Sequence, residues 1–190
     1  MTDTQSQLRD EPVIVHIAPT PFFANRGCHI RILNEVRGLQ QKGIPVILCT
    51  YGLGSNPEDI DIRRIPSIPG YHKTSAGFSL FKPLADLLLW ILVMKTIFQK
   101  KSVILHGHLH EGGLIGWCSK TLLFWKKIDL IMDIQGSLSG ELSEYGTFKR
   151  FPSILKIFYL LEKLICLMPD KIVCSSINSY RFITQQCGIS

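Results

Sequence analysis

The chain has 190 residues, 46% apolar and 19% charged, a balance that marks a globular protein rather than a disordered one. It is too short for a (β/α)₈ barrel, which takes about 250 residues, yet long enough to bury a substantial core. Lys and Arg outnumber Asp and Glu 21 to 15, for a net charge of +6, which favours anionic partners without choosing among sugar phosphates, lipid headgroups and nucleic acid.

Residues 1–12 are polar and lack an apolar run, so a flexible tail and no signal peptide are expected. Residues 13–190 read as one domain. Val13–Ala18, rich in Val and Ile, is the first predicted strand. A loop with Pro19, Pro21, Asn25, Arg26 and Gly27 leads into a helix whose apolar stripe is Ile30, Leu33, Val36 and Leu39, closed at Gly43. Residues 45–50 form the next strand. Residues 53–82 carry Pro57, Pro66, Pro69, Gly70 and Gly77 and read as loop, with a candidate short strand at 61–65. The apolar stretch 84–98 contains Asp86 and Lys95. It reaches ~22 Å as a helix, short of the roughly 20 apolar residues a membrane span needs, so a buried or interfacial helix is predicted.

A strand at 102–106 is followed by the Gly112-Gly113 turn and a helix with Leu114, Cys118, Leu122 and Trp125 as its stripe. Next come a strand at 128–134, a helix with Ile157, Leu161, Leu164 and Met168 stopped by Pro169, and a strand at 171–175. Strands alternating with helices, each strand nearly all apolar, predict an α/β domain. Its expected core is a doubly wound, mostly parallel, Rossmann-like sheet of about six strands with Val13–Ala18 central.

In such a sheet ligands bind beyond the carboxyl ends of the strands, which selects three loops. The first, 19–28, places Gly27 ahead of a helix, where free N–H groups favour anions; an ordinary tight turn explains it equally well. Neither GxGxxG nor GxxxxGK[ST] is present, so the dinucleotide and P-loop fingerprints are absent. The second is His106-Gly107-His108-Leu109-His110-Glu111. A persisting strand would put all three histidines on one face, as a metal site, as hydrogen-bonding groups around a sugar or phosphate, or as strand-end polar residues. No metal is expected, because no further acidic or Cys ligand set is evident. The third, Asp133 to Glu141, offers Asp133 and Glu141 as hydroxyl binders or a distant acid/base pair. Its Ser137 and Ser139 miss the GxSxG register and suit a helix N-cap.

The six cysteines include no CxxC pair and read as reduced thiols in a cytosolic chain. Basic residues beside aromatics (Phe78 and Phe81 near Lys82, Trp125 near Lys126, Phe148 and Phe151 around Lys149-Arg150) suit a membrane interface or single-stranded nucleic acid. Solvated surface is the ordinary fate of most of them.

Together, several segments resemble family 4 glycosyltransferases. Arg26-Gly27-Cys28-His29-Ile30-Arg31 through Gln41-Lys42-Gly43 resembles the family's first βαβ unit. Residues 103–106 with His108-Leu109-His110-Glu111-Gly112 resemble its H-x-H strand end, Asp133-Ile134-Gln135-Gly136 its next strand end, and Asp170-Lys171-Ile172-Val173-Cys174-Ser175-Ser176 a late strand. Arg26 stands where the family usually has glycine, and Gln135 where it often has histidine. The resemblance implies the N-terminal, acceptor-side half of a GT-B fold, without the C-terminal nucleotide-sugar domain. It implies transfer from a nucleotide sugar to a sugar, polysaccharide or lipid-linked acceptor, with no cofactor. His108, His110 and Gln135 would be the catalytic group; Arg26, Gly27, Arg31, Lys73, Glu111, Gly136, Ser137 and Glu141 would contact substrate. A separate donor-binding domain and an anionic membrane surface are the partners implied, nucleic acid is not, and the setting would be the cytoplasm or the inner face of the membrane. The alternatives are a non-catalytic Rossmann-like accessory module and a metal hydrolase built on the histidines.

Overall fold

The computed structural model describes residues 12–24, 26–74, 79–136 and 152–189. The Val/Ile runs become strands β1 (Val13–Ala18), β2 (Val46–Thr50), β4 (Ser102–His108), β5 (Lys127–Ile134) and β6 (Lys171–Cys174), with a short β3 (Ile62–Arg64) at the edge. The helices are α1 (Gly27–Gln40), α2 (Lys82–Phe98), α3 (Leu109–Leu122), α4 (Pro152–Cys166) and α5 (Ile177–Arg181), the last running into a π-helical turn, Phe182–Gln186. All pairings are parallel, in the order β3-β2-β1-β4-β5-β6. This is the doubly wound arrangement predicted, with β1 central. The strand order reverses between β1 and β4, the crevice where such sheets place ligands.

Two faces alternate along each strand. On one, Val15, Ile17, Ile47, Cys49, Val103, Leu105 and Leu130 pack against Ala85, Leu89, Val93 and Ile97 of α2 and Ile115 of α3. On the other, Ile32 and Val36 of α1 meet Ala18, Val46 and Leu48. A third cluster joins Met132 and Ile134 to Cys166, Phe182, Ile183 and Cys187. All six cysteines are free thiols. The loop after β2 is stitched by Arg64, whose guanidinium donates to the carbonyls of Tyr51, Leu53 and Ser55 and to Asn56 Oδ1 at 2.7–2.9 Å.

Three predicted apolar stripes need correction. In α1, Val36 is buried and Leu33 and Leu39 pack against the same core, as predicted, but Ile30 is exposed and His29 and Ile32 are buried instead. In α3, Leu114, Leu122 and the following Trp125 are exposed, and the buried face is His110, Gly112, Gly113, Ile115, Gly116 and Ser119. The glycines explain this: a Cβ on Gly107 would lie 2.5 Å from the Gly112 backbone, and one on Gly112 would lie 2.8 Å from the Ile17 carbonyl. The helix seats its smallest residues against the sheet so that backbones approach closely. In α4, Ile157, Leu161 and Leu164 are exposed and Glu162 and Cys166 are buried. The histidine triplet is corrected too. β4 persists to His108, then Leu109 turns the chain into α3 with φ 60°, a left-handed conformation that a side chain adopts only under strain. His106 and His108 therefore share a face, and His110 leaves it. Among the described residues no helix is long and apolar enough to cross a membrane.

Candidate functional site

The switch point carries a polar row. Parallel register sets His16 of β1 beside His106 of β4, and His108 beside Asp133 of β5. Because His106 and His108 are two residues apart, both rings stand on the α1 face, stacked at 4.6 Å between centroids, with His16 4.6 Å from His106. From above, α1 lowers Arg31 and, one turn later, Glu35. Arg31 donates to Asp133 through Nε at 3.0 Å and Nη2 at 2.8 Å, and also reaches Glu35 Oε1 at 2.9 Å. Gln135 Nε2 donates to Asp133 Oδ2 at 2.7 Å, and His108 Nδ1 to the same oxygen at 3.2 Å. His108 Nε2 then faces His16 Nδ1 at 2.8 Å.

The charge pattern follows from these contacts. Asp133 is fully buried, which alone would raise its carboxyl. The hydrogen bonds from His108, Arg31 and Gln135 outweigh burial and hold it well below the usual carboxylate range. An ionised carboxylate only accepts, so His108 Nδ1 carries a proton and donates it to Asp133, leaving Nε2 to face His16 Nδ1. Burial lowers His16 well below the ordinary imidazole value, helped by His108 and His106; burial, then His108, pushes His106 down to about 3. Burial, then Asp133, raises Glu35, against the pull of His108 and Arg31. His16 Nε2, His106 Nε2 and Glu35 Oε2 are buried without a hydrogen-bond partner among the described residues.

The structure thus brings His108, Gln135 and Arg31 together around Asp133. His108 is a buried link: register sets it beside Asp133, and its ring reaches diagonally to His16. His110 points the other way, with Nε2 3.1 Å from Glu162 Oε1 of α4. Glu111 pairs with Lys82. Arg26 occupies the N-cap position of α1, half-buried, with Gly27 exposed behind it. His29 locks the preceding loop, one ring nitrogen 2.7 Å from Thr20 Oγ1 and the other accepting from the Ala24 N–H at 2.9 Å. Lys73 is half-buried in the loop ahead of α2, and Gly136 follows Gln135 at the end of β5. Asn25, Phe78, Ser137, Ser139, Glu141, Phe148, Lys149, Arg150 and the N-terminal tail before Pro12 lie outside the described residues. Sequence reasoning passed over His16 and Glu35. The available signals were a histidine inside an otherwise apolar strand and an acid four residues after Arg31.

On the opposite face, buried Tyr51 donates its hydroxyl to Asp86, close to the Lys82–Glu111 pair. Burial raises the Asp86 carboxyl to about 6; the Tyr51 hydrogen bond and Lys82 oppose this, and Glu111 adds to it. A carboxyl raised by folding takes up protons more readily in the native state, so its ionisation costs stability as pH rises from about 4 through 6. Asp86→Asn, which keeps the acceptor for Tyr51 without the charge, is therefore expected to match the wild-type melting temperature near pH 4 and exceed it above pH 6. Thermal melts of both proteins across pH 4–8 check this; an unchanging difference would remove Asp86 as the titrating group.

No protein-family model matches the chain, and no curated protein matches it in sequence. Among solved structures it is similar to sucrose-phosphate synthase from Thermosynechococcus elongatus, with a TM-score of 0.65 at 13% identity over 92% of this chain. The chain spans 45% of that synthase's length. A second, shorter structure of the same synthase overlays with a TM-score of 0.58 at 13% identity, covering 92% of this chain and 82% of the other. At this identity the likeness is one of fold: a Rossmann-like α/β domain.

Proposed function

We propose that this chain is the acceptor-side domain of a glycosyltransferase that moves a sugar from a nucleotide donor, held by a second domain, to a sugar, polysaccharide or lipid-linked acceptor. The observation that supports this best is the overlay of 92% of the chain on a span of a synthase about twice its length, joined to a polar row at the sheet's switch point. A hexosyl transfer of the family 4 type, in polysaccharide or glycolipid synthesis, follows from the sequence resemblance. Arg26 and the Gly27 and Cys28 amides, which precede the first intrahelical bond of α1, suit an anionic group on either substrate. Gln135 and Gly136 stand at the end of β5, two strands along from β1, where a sugar hydroxyl would meet them. Catalysis in such a two-domain cleft rests on positioning and on charge stabilisation at the leaving diphosphate. One face of α2 exposes Leu84, Leu87 and Ile91, its end exposes Phe98, and Phe124 and Trp125 are exposed just after α3. With Lys95 and Lys127, this surface suits an anionic bilayer at about 1 kcal/mol per basic residue.

A coupled assay with nucleotide sugars and acceptors tests the reading, using this chain alone and with a donor-binding domain supplied in trans. Turnover is expected only in the second case, since each missing transition-state donor is worth ~10²–10³ in rate. Arg26→Ala should then lower that turnover without changing the melting temperature. The runner-up, a non-catalytic accessory module, is favoured by the fact that His108, Arg31 and Glu111 are already engaged within the chain. It would be preferred if acceptor binding persisted and no donor combination gave transfer.

A further inference from the structure

The row at the switch point has more ligand chemistry than the chain itself uses. His16, Glu35, His106 and His108 each offer one ligand atom, and these atoms lie within 4.8 Å of one another. Two of them, His106 Nε2 and Glu35 Oε2, are 3.9 Å apart. Both are buried and without a hydrogen-bond partner among the described residues, as is Nε2 of the fully buried His16. Lone pairs left so are costly in a protein interior and call for an explanation.

We propose that this cluster binds one borderline divalent transition metal ion, zinc above all. Its ligands are His106 Nε2, the free oxygen of Glu35 and a nitrogen of the His16–His108 pair. Imidazoles with a single carboxylate are a zinc donor set, whereas magnesium and calcium want oxygen alone. Asp133 accepts from His108 Nδ1, the carboxylate–histidine arrangement that orients metal ligands from behind. Arg31 occupies the other Glu35 oxygen and pairs with Asp133, so one cation faces two carboxylates and the cluster carries one net negative charge to meet the ion. Sequence reading of His106, His108 and His110 lacked this site because two of its ligands, His16 and Glu35, come from other elements, and His110 is no part of it.

The test uses the full chain and metal alone, so it does not depend on sugar transfer. After chelator treatment, Zn²⁺ is titrated in competition with a chromophoric chelator, with Mg²⁺ in parallel. One Zn²⁺ per chain is expected, with a raised melting temperature, and no response to Mg²⁺. Co²⁺ should give visible ligand-field bands of a low-coordinate site. His106→Ala and Glu35→Gln should each weaken Zn²⁺ binding by about 100-fold or more, beyond the ~10–100-fold typical of outer-shell changes. His72→Ala, at an exposed histidine elsewhere, should leave it unchanged. Circular dichroism checks that the variants fold, and His106→Gln serves if the alanine variant does not. Zinc binding that survives both substitutions, that is lost in His72→Ala, or that never reaches one equivalent overturns the proposal.

Discussion

Asp133→Asn is expected to lower stability by about 3 kcal/mol, the low end of the cost of breaking a buried ion pair, or roughly 10 °C in melting temperature for a domain of this size. Asp133 accepts from His108, Arg31 and Gln135 at once. An amide of the same shape has one acceptor atom and turns two donors toward groups that are donors themselves. Arg31 keeps 30% of its side chain in solvent and retains Glu35, which limits the loss. Denaturant melts of Asp133→Asn, Arg31→Met and the double variant measure it. The double variant should be less damaged than the sum of the singles, because neither charge of the Arg31–Asp133 pair is then left facing a lost partner. Strict additivity would mean that the pair holds nothing together.

Gly107→Ala is the second large effect. The added methyl would meet the Gly112 carbonyl carbon and oxygen at 2.5 Å and the Gly113 nitrogen at 2.7 Å. These are backbone atoms in the first turn of α3 and cannot swing aside, so helix and strand must separate. The cost should exceed the ~1–3 kcal/mol usual for overpacking, and the chain is expected to melt far earlier or fail to fold. Gly116→Ala should cost less, since its methyl meets the Leu130 side chain, which can change rotamer. Gly38→Ala, inside α1 and facing open space, should go the other way, gaining about 0.5–1 kcal/mol. Equal effects at 107 and 38 would show that close packing of α3 on the sheet is not what Gly107 provides.

Apart from the short edge strand β3, the sheet was legible because its strands are compact Val/Ile runs between punctuating residues, and because parallel strands buried on both faces have no other common composition. The helix faces were not. A stripe such as Leu114, Cys118 and Leu122 announces an apolar side, but α3 is seated by Gly112, Gly113 and Gly116, which hydrophobic periodicity scores as nothing. The histidine triplet was half legible: alternation placed His106 and His108 together, and a single left-handed residue, Leu109, sent His110 to Glu162. His16 and Glu35 were hidden for another reason. Their meaning lies in which strands become neighbours and which turn of α1 overhangs them, and neither is written near them in the chain.

That last feature bears on how the molecule is built. His16 and His108 are 92 residues apart, and Arg31 and Asp133 are 102 apart. The β1-α1-β2 unit can form from local contacts, but the polar row exists only after β4 and β5 have been recruited alongside β1 across a long crossover. Pairings of such high contact order form slowly, since loop closure is opposed by entropy before any contact rewards it. The row therefore contributes nothing to the early search for the fold. It acts as a latch on the finished sheet, and its strength is felt in how reluctantly the two halves of the sheet come apart.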